Sequence, residues 1–390
     1  MRLGDVFTIS SGGTPNKNEP AYYENGTIPW VKTGDLKSKY VSDEIEYITE
    51  LGLKNSSAKL FPCGTVLIAM YGATIGACSI LPYEASTNQA CAAFLPNGTV
   101  LQEYLYYFLS SHKDKFVNDG VGGAQPNISA GYLKNVEFEI IPISEQQEII
   151  DALEKVDTLI FLRKQQLAKL DKLVQARFVE LFGDPVTNPK GYLVKTLQEL
   201  IDMGYITYHL DGNHGGDYPR SEEFVDSGVP YIGANSIVNG EIDFSMAKYL
   251  TEERAGKLRK GIAQNEDVLF AHNATVGPTV VLKTTEPKVI LSTSLTAYRC
   301  NKSNLLPNYL KAYMQSDGFV RQYSGEMKQT TRNQVPITAQ KKYLFIVPTI
   351  TEQEQFAAFV EQTDKSKSVI QQSLDKLETL KKALMQKYFG

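Results

Sequence analysis

The feature that most constrains this chain is a long apolar stripe that occurs twice. At alternating steps of four and three, the first stripe carries Ile149, Leu153, Val156, Ile160, Arg163, Leu167, Leu170, Val174, Arg177 and Leu181. Shifted by 207 residues, from Ile149 to Phe356, the same frame carries Phe356, Val360, Thr363, Lys367, Ile370, Leu374, Leu377, Lys381, Leu384 and Tyr388. Such spacing lines one face of an α-helix and is the a/d pattern through which helices pair. Each helix would run ~50 Å at ~1.5 Å per residue, a spacer rather than an element of a compact core. Arg163 and Arg177 stand where the second stripe has Ile370 and Leu384, and Lys367 and Lys381 stand where the first has Ile160 and Val174. These complementary interruptions predict an antiparallel pair whose register the cations set. Leu159, Leu173 and Leu380 widen the apolar face and predict packing on something beyond the partner helix.

Around these helices the chain reads in four pieces: a glycine- and aromatic-rich region at 1–143, a long helix at 144–183, a linker and second region at 184–349, and a long helix at 350–390. Ser144-Glu-Gln-Gln147 is close to a capping box, and Thr351-Glu352-Gln353 is expected to open the second helix. Gly183 and the run Asp184-Pro-Val-Thr-Asn-Pro189 stop the first.

The regions between the helices repeat more loosely. Ile28-Pro-Trp-Val31 matches Val229-Pro-Tyr-Ile232, Val66-Leu-Ile-Ala69 matches Val268-Leu-Phe-Ala271, and Ala73-Thr-Ile-Gly76 matches Ala274-Thr-Val-Gly277. Ser86-Thr-Asn-Gln89 pairs with Ser292-Thr-Ser-Leu295, and Glu103-Tyr-Leu105 with Asn308-Tyr-Leu310. Phe138–Pro142 pairs with Leu344–Pro348, each expected to be a last strand feeding its helix. A repeat of half the 390 residues is too long for a solenoid, whose units run to ~50 residues. The expected fold class is α+β, with two pseudo-symmetric globular domains joined and separated by two long antiparallel, coiled-coil-like helices. An apolar content of 42% suffices for a core in each half.

Composition excludes little. The formal charge of −4 is uninformative about nucleic acid, because a basic face can hide in an acidic average. Cys63, Cys78, Cys91 and Cys300 lack metal-ligand spacing and read as free thiols. Nothing resembles a signal peptide or a membrane span, so a cytoplasmic location is expected. Gly120-Val-Gly-Gly123 fails the spacing of a nucleotide loop and reads as an ordinary loop. His209 and His214 lack the further ligands a metal centre needs; no metal is expected.

Several motifs carry a family resemblance. Ser11-Gly-Gly-Thr-Pro15 ahead of Ile28-Pro-Trp30, the Ala73–Gly76 turn, Gln125-Pro-Asn-Ile128, and Ile141-Pro142 followed by Glu145-Gln-Gln147 resemble the specificity subunit of type I restriction-modification systems. The second half answers with Gly215-Gly216, Gly228-Val-Pro230, Thr330-Thr-Arg-Asn-Gln-Val335, and Val347-Pro348 followed by Glu352-Gln353. The resemblance implies a non-catalytic subunit in which each globular region is a target recognition domain reading one half of a bipartite site in double-stranded DNA. Dissimilar polar residues in the two halves imply an asymmetric site. The helices would set the spacing and dock two modification (methyltransferase) subunits, which carry the S-adenosylmethionine chemistry. Restriction subunits using ATP and Mg complete such systems, and no cofactor falls to this chain.

Candidate DNA contacts follow from residue chemistry. In the first region Lys32, Lys37, Lys39 and Tyr40 flank the Gly34-Asp35 turn, and Tyr71 precedes a glycine turn. In the second, Lys257, Arg259 and Lys260 cluster, while Asn235, His272 and Asn273 fall at strand ends. Cations neutralise phosphate, whereas amides and rings reach base edges. The competing reading is a protein-interaction scaffold built on paired helices, which accounts for the helices but not for the motif series.

Overall fold

In the computed structural model the described residues are 1–120, 127–327 and 333–390. They divide into two compact units, Met1–Lys164 with Gln372–Gly390, and Gln165–Gln371. The long helices, Ile143–Phe182 and Ile350–Phe389, therefore each begin in one unit and end in the other.

Both units are built on the same two sheets. In the first, Ile9–Ser11, Cys91–Phe94, Val66–Ala69 and Cys78–Ile80 form an antiparallel sheet in that order, and in the second Ile206–Asp211, Leu295–Cys300, Val268–Asn273 and Thr275–Val281 do the same. A second sheet in each unit contains one parallel pair, registered Trp30 with Ser86 and Tyr231 with Ile290. The repeat is thus topological as well as sequential. Asn88 and Ser292 donate to the carbonyls of Val31 and Ile232, at 3.0 and 2.8 Å, so the true counterpart of Asn88 is Ser292 rather than Ser294. The sequence match of Ser86 with Ser292 is out of step by two residues.

The glycine motif also needs correction. A Cβ on Gly12 would lie 1.9 Å from Thr87 O, and one on Gly212 2.4 Å from Leu291 O. Gly212, not Gly215-Gly216, therefore answers Gly12: both backbones pass against the same sheet strand too closely for a side chain. Leu344–Val347 is a strand paired with Leu193–Thr196, as expected. Phe138–Pro142 is not; residues Met1 and Arg2 lie there instead, Met1 donating to Phe138 O and Arg2 bridging Glu137.

Every position of both apolar stripes is buried or half-buried. Within each unit the helices run antiparallel: Asp157 pairs with Lys381 and Lys164 with Glu378 in the first, and Asp171 with Lys367 in the second. Lys367 and Lys381 thus reach carboxylates on the opposite helix at 2.6 and 2.5 Å, and Arg163 donates to Ser373 Oγ at 3.2 Å. The second helix is capped two residues before the expected point, by Thr349 and Glu352, while Ser144 lies inside the first turn of a helix that starts at Ile143. Gly183 ends the first helix at φ +80, the left-handed conformation a glycine adopts without strain.

Helix and domain are locked by the same device twice. Gln146 and Gln353 are fully buried. Gln146 accepts from Leu101 N–H at 2.8 Å and donates to Thr99 O and Ile141 O. Gln353 accepts from Leu306 N–H at 2.9 Å and donates to Asn304 O and Pro348 O. Around these bonds, Phe389 packs on Tyr104 and Phe108 in the first unit, and its counterpart Phe182 on Tyr309 and Phe356 in the second.

Candidate nucleic-acid interface

In the first unit the candidate residues hang on a short 3-10 turn, Thr33–Asp35, that follows the strand Ile28–Val31. The Asp35 carboxylate accepts from Lys32 N–H at 2.8 Å and fixes the turn. Lys32 pairs with Glu46. Lys37 is exposed, whereas Lys39 pairs with Glu154 of the long helix and lies 5.1 Å from the Tyr107 ring. Tyr40 donates to Glu103 at 2.9 Å; burial and that carboxylate push its hydroxyl up to about 12. Lys39 and Tyr40 therefore tie the loop to the helix side of the unit. Tyr71 is exposed and bridges Asn127. Gln125-Pro126 of the expected motif, and Val121–Gly123 of the glycine-rich loop, lie outside the described residues, as do Thr330–Arg332 in the second half.

In the second unit Asn235 is exposed on the matching turn, Ala234–Ser236, whose first N–H donates to Ser294 Oγ at 2.8 Å. Lys257 pairs with Glu253 one helical turn back, and Arg259 and Lys260 are exposed. The fold joins this cluster to a distant loop: Asn213 donates to Lys260 O at 2.6 Å and accepts from Lys260 N–H at 3.3 Å. The Asp211–His214 loop, its His214 imidazole 2.7 Å from the Asp211 carboxylate, is thereby set beside Arg259 and Lys260. Arg254, which periodicity gave no reason to single out, holds Glu223 at 2.5 Å and donates to Asp217 O, pinning the neighbouring turns. The Arg254 guanidinium holds the Glu223 carboxyl below its ordinary value.

His272 is corrected. It is buried, and its Nδ1–H donates to Val335 O at 3.1 Å. Val335 N–H donates in return to His272 O at 2.8 Å and so covers the strand end, as Ile128 N–H does on Met70 O at 2.9 Å in the first unit. His272 thus contacts protein, and Asn273 beside it is half-buried and bridged to Gln334. Nearby, His209 donates to Gln340 Oε1, which also accepts from Tyr298. Burial pushes His209 down to about 4 and lowers His272 as well. No group of three His, Cys, Asp or Glu side chains among the described residues is placed to hold a metal.

Next to Asn273, Ala274 stands at φ +65. An alanine there carries ~1–2 kcal/mol of left-handed strain, so Ala274→Gly is expected to raise the unfolding free energy by about 0.5–1 kcal/mol after the entropy of glycine is deducted, measured by urea titration.

Two copies of one α+β unit, each containing the start of one long helix and the end of the other, define a tandem-duplicated class of protein. The family model described as Type I restriction modification DNA specificity domain matches residues 1–172 and 189–379, and the chain belongs to that family. It is 29% identical over 260 residues to the Type I restriction enzyme MjaIX specificity subunit of Methanocaldococcus jannaschii, covering 61% of this chain and 58% of that one. It is 30% identical over 162 residues to the Type I restriction enzyme EcoR124I/EcoR124II specificity subunit of Escherichia coli, covering 40% of each. The chain thus spans at most 58% of the length of these relatives. A solved structure described as the basis of complex assembly and conformational transition of the type I R-M system matches in fold across 100% of this chain and 96% of its own, with a TM-score of 0.60 at 18% identity.

Proposed function

We propose that this chain is the DNA-reading specificity subunit of a type I restriction-modification complex, each unit reading one half of an asymmetric, split site. The observation that carries this reading is the double match to the DNA specificity domain, laid over two units of one topology whose exposed turns differ in side chains. Lys37 and Tyr71 in the first unit, with Asn235, Lys257, Arg259 and Lys260 in the second, form the DNA-facing set. The cations hold phosphate and the amide and ring meet base edges in the major groove. Lys39 and Tyr40 position the loop. The chain performs no chemistry of its own: methyl transfer from S-adenosylmethionine falls to modification subunits, and ATP- and Mg-dependent steps to restriction subunits.

Two modification subunits are the expected complement. Leu162 and Val369, and likewise Leu173 and Leu380, are related by the 207-residue offset, and all four are 46–67% exposed on the long helices. Each unit thereby carries one of these four residues on each helix, a repeated docking patch.

The test is methylome sequencing of a host expressing this chain with its cognate modification subunit, against one lacking this chain. One new split, asymmetric motif is expected; a stable complex with no new motif refutes DNA reading and favours the interaction scaffold. In binding assays, replacing Lys257, Arg259 and Lys260 with alanine should lower the slope of log affinity against log salt by ~0.9 for each phosphate that is no longer neutralised.

A further inference from the structure

In the first unit the parallel strands Ile28–Val31 and Ala85–Thr87 end side by side, with Val31 registered on Thr87. The chain leaving Thr87 turns at once. Asn88 Oδ1 accepts from Ala90 N–H at 3.2 Å and Asn88 O accepts from Cys91 N–H at 3.3 Å, which puts Gln89 at the tip of the turn. Backbone bonds fix what stands on either side of that tip. Asn88 N–H donates to Val31 O at 3.0 Å, just before Lys32 and the Thr33–Asp35 turn, and Ala90 O accepts from Met70 N–H at 2.9 Å, just before Tyr71. Gln89 therefore lies between the two candidate DNA-contacting segments of its unit.

The second unit builds the same turn from other residues. Ser292 Oγ accepts from Ser294 N–H and Ser292 O accepts from Leu295 N–H, both at 3.2 Å, with Thr293 at the tip. Ser292 N–H donates to Ile232 O at 2.8 Å, just before the Ala234–Ser236 turn, and Ser294 O accepts from His272 N–H at 3.0 Å, just before Asn273. The loop after each close-packed glycine supplies a second residue: Thr14 follows Gly12 by two positions, as His214 follows Gly212. In the first unit the Thr14 hydroxyl donates to Gln89 Oε1. The equivalent positions of the second carry Thr293 and His214, whose imidazole is held by Asp211 at 2.7 Å.

Gln89 is exposed, and the bond from Thr14 holds its carboxamide while leaving Nε2 and the second lone pair of Oε1 to a ligand. An amide that presents a donor beside an acceptor matches one base edge of the major groove, N6–H and N7 of adenine. We propose that Gln89, positioned by Thr14, reads an A·T pair in the half-site of the first unit, and that Thr293 and His214 read a different pair at the equivalent place in the other half. The inference rests on the DNA-reading function proposed above and names the side chains that choose the base. Cations around the tip hold phosphate whatever the sequence, so discrimination falls to the neutral groups between them. One backbone turn carrying an amide in one unit and a hydroxyl beside an imidazole in the other gives two halves that differ.

The test is methylome sequencing of hosts expressing the cognate modification subunit with the parent chain or with one variant. In Gln89→Ala one A·T pair of one half-site is expected to turn degenerate, methylation of sites with another base there rising at least about fivefold, while the other half and the spacing stay unchanged. Gln89→Glu keeps an acceptor for Thr14 and loses the donor, so it should move that position towards C·G, whose cytosine N4 donates to a carboxylate. A residue with a merely structural role would not exchange one preferred base for another. His214→Ala with Thr293→Ala should relax the opposite half. The proposal is overturned by a parent motif kept whole in Gln89→Ala, by degeneracy at a G·C pair, by an unchanged A·T preference in Gln89→Glu, or by relaxation of the same half in both sets of variants. Loss of all methylation in Gln89→Ala also overturns it, since the residue would then serve folding or affinity instead of reading. A parent chain that yields no motif refutes the proposed function itself, and this inference falls with it.

Discussion

Replacing Gln146 with leucine is expected to destabilise the first unit by about 3 kcal/mol, because a side chain of similar size then leaves Leu101 N–H, Thr99 O and Ile141 O without their partner. For a unit of this size that is a fall of ~6–12 °C in the midpoint of its transition. The same change at Gln353 should act on the second unit, through Leu306, Asn304 and Pro348. Scanning calorimetry of both variants decides the matter. A fall below about 1 °C in each would mean that water replaces the amide and that the glutamines do not lock helix to domain. The size of the effect follows from asymmetry: a hydrogen bond contributes modestly, but orphaned groups at a packed junction are costly.

The second unit should be the acid-sensitive one. His209, held down to about 4 by burial and by Lys341, is neutral in the folded unit, while its unfolded counterpart titrates near ~6.5. Below pH ~6.5 the unfolded chain takes up a proton that the folded one refuses, so stability is full above that value and drains away as the pH falls towards about 4. The loss from His209 alone is about 3 kcal/mol over that range, and His272, lowered by burial, adds to it in the same direction. Asp211 favours the charged form of both and moderates the effect. In the first unit only His112 is lowered, and it is half-buried. Urea titrations between pH 7 and pH 5, above the range of ordinary carboxylates, should therefore show the second unit weakening first. His209→Gln, which keeps a donor for Gln340, combined with His272→Met, which copies Met70 of the first unit, should flatten the dependence. If the double variant retains the parent's pH profile, the loss arises elsewhere.

Periodicity made the scaffold legible. Apolar residues and long cations every 3.5 positions, with Thr363 the one exception, have one physical reading, and all twenty positions of the two stripes are at least half-buried. Even the interruptions were informative: Lys367 and Lys381 sit where only an antiparallel neighbour can supply Asp171 and Asp157. Phe178, Phe182 and Phe389 fall outside the frame, yet they are buried, because at those points each helix leaves its partner and enters a domain core. A heptad reading cannot see that change of partner.

The interface was legible in residue type and less so in position. His272 ends a strand and so read as exposed, but exposure at a strand end depends on what crosses it, and here Val335 does, 63 residues away. Lys39 read as a phosphate ligand, and Glu154, 115 residues distant, engages it. Asn213, which lies between the two histidines weighed as metal ligands, holds Lys260.

By itself, then, the sequence determined the duplication, the two antiparallel helices and the family, since each rests on spacing or motif order, which are properties of the chain. The tertiary structure alone decided which cations remain exposed to a ligand and which histidines are sealed from solvent. Those outcomes depend on pairings between residues scores of positions apart, and no local pattern encodes them.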